Sequence, residues 1–217
     1  MRIGTWNLEG RWSADHARAM AGARCDVWLL TAVRPRVSLE GYYQHLTGAL
    51  LGEGNHWAGL LSRWPIEPES DPHPASALGR IDGRLYCASV LPWPLLHEDG
   101  VDLWEGDDHL GRVTTTVEAL APVLAGGEAV WGGAWNQPLA GNIIGFSRTV
   151  QEALEQAVDD LGLQVPTATL RARNGMQNTV DQVAVPKTWL LGDAGSVAVD
   201  GALSDHDIYW VEAAPIL

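Results

Sequence analysis

Eight short runs of residues, most of them apolar on both faces, constrain this chain more than any other feature. They are RIGTWNL (2–8), CDVWLLT (25–31), YYQHLT (42–47), HWAGLLS (56–62), RLYCASVL (84–91), EAVWGG (128–133), TVDQVAV (179–185) and DIYWVEA (207–213). A strand with one wet face alternates apolar and polar residues, whereas runs apolar throughout need cover on both faces. Three intervening stretches have helical spacing. Residues 14–23 follow Ser13 as N-cap, 108–124 carry Leu110, Val113, Val117, Leu120 and Leu124 on one face, and 147–161 carry Val150, Leu154, Val158 and Leu161. The pattern is α/β, with helical stripes as core contacts.

Two segments, 67–83 (rich in Pro and Asp) and 97–108 (strongly acidic), read as surface loops, and no interdomain linker separates the runs. A chain of 217 residues suits one domain over 1–217, burying roughly 70% of its unfolded surface. Its 46% apolar and 19% charged content is that of a globular protein, with no repeat, low-complexity tract or membrane-spanning apolar run. The N-terminus enters a strand pattern without a signal-like segment, and Cys25 and Cys87 sit in apolar contexts as buried thiols, so a cytoplasmic protein is expected. A net charge of −13 argues against wide electrostatic contact with a duplex, so any nucleic acid would be gripped locally.

Polar residues gather where the strand runs end. Asn7 and Glu9 follow the first, Thr31 and Ala32 the second, and Asn136 follows GGAW, while Asp205 and His206 precede the last in LSDHDIYWVE. Asp181 lies inside an apolar run, and a buried carboxylate needs a partner, for which His206 is the natural candidate. His16, His45, His73 and His97 lack metal-ligand spacing and read as packed or solvated; His56 and His109 are ambiguous. Most of the eleven tryptophans are core filling, with Trp12, Trp93, Trp104 and Trp135 placed to stack on a base or sugar.

The segments IGTWNLEG, DVWLLTAV, GLLSRWPI, GGAWNQPL, TVDQVAV and SDHDIYWVE occur in one order over residues 2–213. In that order and spacing the chain resembles the endonuclease/exonuclease/phosphatase superfamily, which includes pancreatic deoxyribonuclease and the abasic-site endonucleases. The resemblance implies a four-layer sandwich of two packed mixed β-sheets flanked by helices, and phosphoester hydrolysis dependent on Mg²⁺ or Mn²⁺. It further implies that Glu9 and Asp205 lie near the metal with Asn7 beside them. Asn136 would contact the phosphate, His206 would face it, and Asp181 would orient His206. A hard cation takes oxygen ligands and keeps several waters, so one or two carboxylates suffice beside a substrate phosphate. Arg11, Arg34 and Arg173 lie near the strand-end loops and, with Trp135, are the expected substrate contacts.

Three positions depart from the family pattern. Val90 stands where a His or Tyr reaching the phosphate is usual, with His109 as a conceivable substitute. Ala32 stands where the pattern has its main metal-ligand Glu, and Ala134 where it has the Asp that orients the attacking water. Both replacements are alanine and the neighbouring residues are intact, which reads as an engineered inactive form of an active nuclease. A natural pseudoenzyme serving as a binding module is the alternative. Recognition in such proteins lies in loops, so a phosphatase or phosphodiesterase acting on a small molecule or lipid headgroup also stands beside the nuclease.

Overall fold

The structure is a computed structural model describing residues 1–94, 103–126, 128–141, 144–173, 175 and 177–216. Among these residues thirteen strands and three α-helices follow in order. They are β1 (Arg2–Asn7), α1 (Ala14–Ala23), β2 (Val27–Val33), β3 (Tyr43–Leu46), β4 (Leu50–Gly52), β5 (Asn55–Ser62), β6 (Ile66–Pro68), β7 (Ser76–Ile81) and β8 (Arg84–Val90). Then come α2 (His109–Leu124), β9 (Val130–Ala134), α3 (Arg148–Asp160), β10 (Leu163–Gln164), β11 (Asp181–Pro186), β12 (Leu190–Val197) and β13 (Ile208–Ala214). Each helix starts on a side-chain cap: Ser13 accepts from the Asp15 amide, Asp108 from Gly111 and Ser147 from Val150.

One sheet runs β12-β13-β1-β2-β5-β3, with β4 also on β5; the other runs β10-β11-β9-β8-β7-β6. Both are mixed, because β1 with β2 and β8 with β9 are parallel while the remaining pairs are antiparallel. Between the sheets lies a dry layer that includes Ile3, Leu29, Leu60, Ala77, Val130, Val183 and Val211. The outer face of the first sheet, with Trp6, Trp28 and Leu30, is covered by Met20 and Ala23 of α1. Over the outer face of the second, α2 and α3 set Val113, Leu120, Val150 and Leu154 on Trp131, Trp135 and Leu163. These four layers explain the strands that are apolar on both sides, since each sheet is packed on two faces.

The expected surface loop at 67–83 needs correction, because β7 lies within it and pairs with both β6 and β8. Its Ala77, Leu78 and Ile81 are buried, and the Pro residues and Asp71 that made the segment look loop-like precede the strand, with Asp82 in the turn after it. Of the acidic segment 97–108, residues 97–102, and His97 with them, lie outside the described residues. Cys25 and Cys87 are free and buried, and burial pushes each thiol up to about 12. Among the described residues no helix is long and apolar enough to cross a membrane.

Candidate phosphoester site

The site gathers where β1, β2 and β9 end and β11 begins. After β1 the chain reverses over Leu8–Arg11, with the Arg11 amide donating to the Leu8 carbonyl at 2.8 Å. The successive positive φ values of Glu9 (48°) and Gly10 (66°) are those of a primed turn. A Cβ at position 10 would also fall 2.6 Å from Asn55 Nδ2, so that side chain would have to shift. The turn is tied to β2 by Leu8 N–H to the Thr31 carbonyl (2.9 Å) and by Gly10 N–H to the Ala32 carbonyl (2.8 Å). Ala32, almost buried, holds φ at +50°, a conformation that L-residues adopt at a cost of roughly 1 kcal/mol.

Across the cleft, β9 ends at Ala134, whose neighbours are Asp181 on antiparallel β11 and Val90 on parallel β8. The preceding Gly133 has φ +122°, and a Cβ on it would sit 2.2 Å from the Ser89 carbonyl oxygen, so only glycine lets β9 pass this close to β8. Asn136, at φ +55°, donates from Nδ2 to the Leu91 carbonyl at 2.7 Å, which fixes its amide.

Asp181 is 2% exposed and its Oδ2 lies 2.5 Å from His206 Nδ1. Burial, the largest single effect, would lower the imidazole's pKa; the charge and hydrogen bond of the Asp181 carboxylate, together with Asp205 and Glu9, overcome it, and the ring is held up to about 9. It is therefore an imidazolium at neutral pH. Its Nε2 faces Asn7 Nδ2 at 3.4 Å and Asp205 Oδ1 at 3.3 Å. Asn7 cannot turn its oxygen to the ring, because Asn7 Oδ1 accepts from the Glu9 amide at 3.0 Å. With the ring charged, Nε2 and Asn7 Nδ2 are neighbouring donors, and a phosphoryl oxygen reaching both would take over from Asp205 Oδ1 as the acceptor of Nε2.

Ser204, the residue before Asp205 in LSDHDIYWVE, is the hub beneath this arrangement. Its hydroxyl donates to the Asn7 carbonyl (2.7 Å) and accepts from the His206 amide (3.0 Å), while Trp6 Nε1 donates to the His206 carbonyl (3.0 Å). The signal was its place directly before Asp205 and His206; only the fold shows what it joins. A cavity of about 300 Å³ opens beside His206, with Asp181, Asp205, Arg173, Gln177 and Tyr209 on its walls.

The expected substrate contacts fare unevenly. Trp135 is fully buried, its ring centroid 4.1 Å from that of Trp131, so it cannot stack on a substrate; it fills the core beneath α2 and α3. Arg173 donates to the Ser204 carbonyl (2.8 Å) and the Val199 carbonyl (2.7 Å), bracing the loop that carries His206. Arg34 Nε donates to the Gly10 carbonyl, and Arg11 pairs with Glu9 at 3.1 Å. His109 Nε2 donates to the Pro92 carbonyl (3.0 Å), and His16 packs between Trp6 and Trp12.

A divalent cation finds a poor donor set here. Glu9 is occupied by Arg11 and by the Asp205 amide (2.9 Å), Asp181 by the imidazole, and residues 32 and 134 offer only methyl groups. Asp205 is the remaining acid, and among the described residues no group of three His, Cys, Asp or Glu side chains is placed to hold an ion. The residues present do not fit a resident Mg²⁺ or Mn²⁺.

Comparison with solved structures places the architecture. The endonuclease domain of TRAS1, a telomere-specific non-LTR retrotransposon, superposes with TM-score 0.67 at 14% identity, over 99% of this chain and 97% of that one. The chain has the fold of the endonuclease/exonuclease/phosphatase proteins. An endonuclease/exonuclease/phosphatase family protein from Leptotrichia buccalis matches at TM-score 0.67 and 14% identity over 99% of both chains. The AP endonuclease LMAP from Leishmania major matches at 0.67 and 11%, over 97% of this chain and 86% of that one. No family model and no curated protein sequence matches the chain. At such identities the likeness speaks for the fold.

Proposed function

We propose that the chain carries the site of a divalent-metal-dependent phosphodiester hydrolase acting on nucleic acid, silenced by alanine at positions 32 and 134. The observation that carries this reading is the buried Asp181–His206 pair, set across the strand register from residue 134 at the mouth of a cleft. An imidazolium held by a buried carboxylate is a fixed positive contact for a phosphoryl oxygen, and the Asn7 amide adds a second donor beside it. Those two groups bind and orient a phosphoester; neither activates water. The family chemistry assigns that task to an aspartate at 134, and charge neutralisation to a cation that a glutamate at 32 would help hold. The nucleases among the similar folds support nucleic acid as substrate.

The decisive experiment restores both acids. The Ala32→Glu/Ala134→Asp chain should cleave oligonucleotides in Mg²⁺ or Mn²⁺, and each single reversion should do far less, because residues acting as a unit are not additive. If the double variant cleaves no nucleic acid, nucleotide or small phosphoester in either metal, the hydrolase reading fails and a natural binding module replaces it. A small phosphoester is the second reading. The cleft of about 300 Å³ and the net charge of −13 favour it, and the same substrate panel separates the two.

A further inference from the structure

The turn that follows β1 brings Arg11 back onto Glu9. Arg11 Nη1 contacts Glu9 Oε2 at 3.1 Å and the Gly201 carbonyl at 3.4 Å, and the side chain is about half exposed. A guanidinium carries five N–H donors, and both of these contacts use a single nitrogen, so its other edge faces outward. Glu9 Oε2 also accepts from the Asp205 amide, and Asp205 Oδ1 lies 3.3 Å from His206 Nε2, which links Arg11 through Glu9 to the Asp205–His206 end of the site. The carboxylate that the family pattern offers to a cation is therefore already matched by a cation of the chain's own.

A divalent ion in such a cleft does two things: it neutralises a carboxylate and contacts a phosphoryl oxygen. A guanidinium does both by hydrogen bonding, one nitrogen to the carboxylate and a fork of parallel N–H groups to the phosphate. We propose that Arg11 is the resident cation of this cleft, and that with Asn7 it holds a phosphoester in the absence of any divalent ion. The proposal rests on the phosphoester reading of the site, and it accounts for a cleft that does not fit a metal yet keeps its phosphate-facing groups. Held by Glu9, the guanidinium is oriented before a ligand arrives, which reduces the ordering that binding requires.

The test is fluorescence anisotropy with a short labelled single-stranded oligonucleotide, in EDTA and in Mg²⁺. The chain as it stands should bind in EDTA, and Mg²⁺ should leave affinity unchanged or lower it, because added cations screen a guanidinium–phosphate contact. Arg11→Ala should weaken binding by about tenfold to a hundredfold, the range of a charge-assisted hydrogen bond. Arg11→Lys, which keeps the charge without the fork, should fall between. Arg36→Ala, which removes the same charge from another exposed arginine, should cost less than Arg11→Ala. Thermal melts matching the parent chain confirm that each variant is folded. Binding that appears only with Mg²⁺, or an Arg36→Ala loss as large as that of Arg11→Ala, would overturn the role of Arg11 and leave the phosphoester reading standing. If neither the oligonucleotide, a mononucleotide nor inorganic phosphate binds in either buffer, the role of Arg11 falls, and cleavage by the Ala32→Glu/Ala134→Asp chain decides the phosphoester reading separately.

Discussion

Replacing Asp181 by asparagine keeps the shape of a side chain that is 2% exposed and removes the charge lying 2.5 Å from His206 Nδ1. In the native chain the imidazole is raised from 6.5 to about 9. A group whose pKa is raised on folding contributes stability that is complete below its unfolded value and fades as pH rises through its folded value. The window therefore runs from about 6.5 to about 9. At roughly 1.4 kcal/mol per pH unit, the contribution is at most about 3–4 kcal/mol. With Asp181→Asn the burial that lowers the ring is opposed only by Asp205 and Glu9, so its pKa should fall by at least about one pH unit. Ring-nitrogen NMR across a pH series reads the titration directly, and urea unfolding at each pH reads the stability. The native chain should lose unfolding free energy between pH 6.5 and 9, and the variant should lose much less. A native ring that titrates at or below 6.5, or an asparagine variant with an unchanged ring, would refute the reasoning.

Arg173→Ala should free the Ser204 and Val199 carbonyls and loosen the loop that carries His206. The expected outcome is faster amide hydrogen exchange over 199–206 and a loss of roughly 1–3 kcal/mol, with Arg173→Lys recovering only part because an ammonium lacks the planar fork. Gly133→Ala should be among the most damaging small substitutions, since it combines a positive φ with a Cβ 2.2 Å from the Ser89 oxygen. A loss below about 2 kcal/mol in denaturant unfolding would mean that β8 and β9 separate more easily than their packing implies.

Much of the fold was legible because tertiary burial wrote itself into local pattern. The stripes of α2 and α3 face the second sheet at their expected positions, and each of the eight runs contains a strand; YYQHLT is the exception to the two-sided burial, because Tyr43 and Gln44 of β3 are exposed. What stayed hidden lacked such a stripe. In β12, LLGDAGSV has two glycines and sits exposed at a sheet edge, so its strand character comes from pairing with β13. β7 lay behind a stretch of Pro and Asp that dominated the composition of its segment. At the site, motif order brought Asn7, Glu9, Ala32, Ala134, Asn136, Asp181, Asp205 and His206 to neighbouring strand ends. It could not say what the arginines touch, because Arg173 and Arg34 donate to backbone carbonyls of loops whose paths only the folded chain determines. Trp135 was misplaced for a related reason: a polar Asn136 and Gln137 behind it suggested an open loop, yet the chain turns at Asn136 and the indole falls back on Trp131.

The alanine at 134 bears on stability as well as chemistry. Residues directly opposite in an antiparallel pair project to the same face with Cβ atoms about 5 Å apart, so an aspartate at 134 would stand beside Asp181. Ala134 is 1% exposed, and Asp181 Oδ1 is already buried with no hydrogen-bond partner among the described residues. Two carboxylates sharing one desolvated site resist joint ionisation, and the single imidazolium of His206 already serves the first. Ala134→Asp alone should therefore destabilise the chain by roughly 1–3 kcal/mol at neutral pH. The sign with pH follows: the new carboxyl's pKa is raised in the folded state, so the penalty grows as pH climbs through the ordinary carboxylate range and vanishes in acid, where the group is protonated in both states. Urea unfolding of the two chains across that range measures it. An aspartate variant as stable as the alanine chain at neutral pH would mean that the cleft already neutralises a second acid, and the view of position 134 as a site of stability given up for chemistry would be wrong.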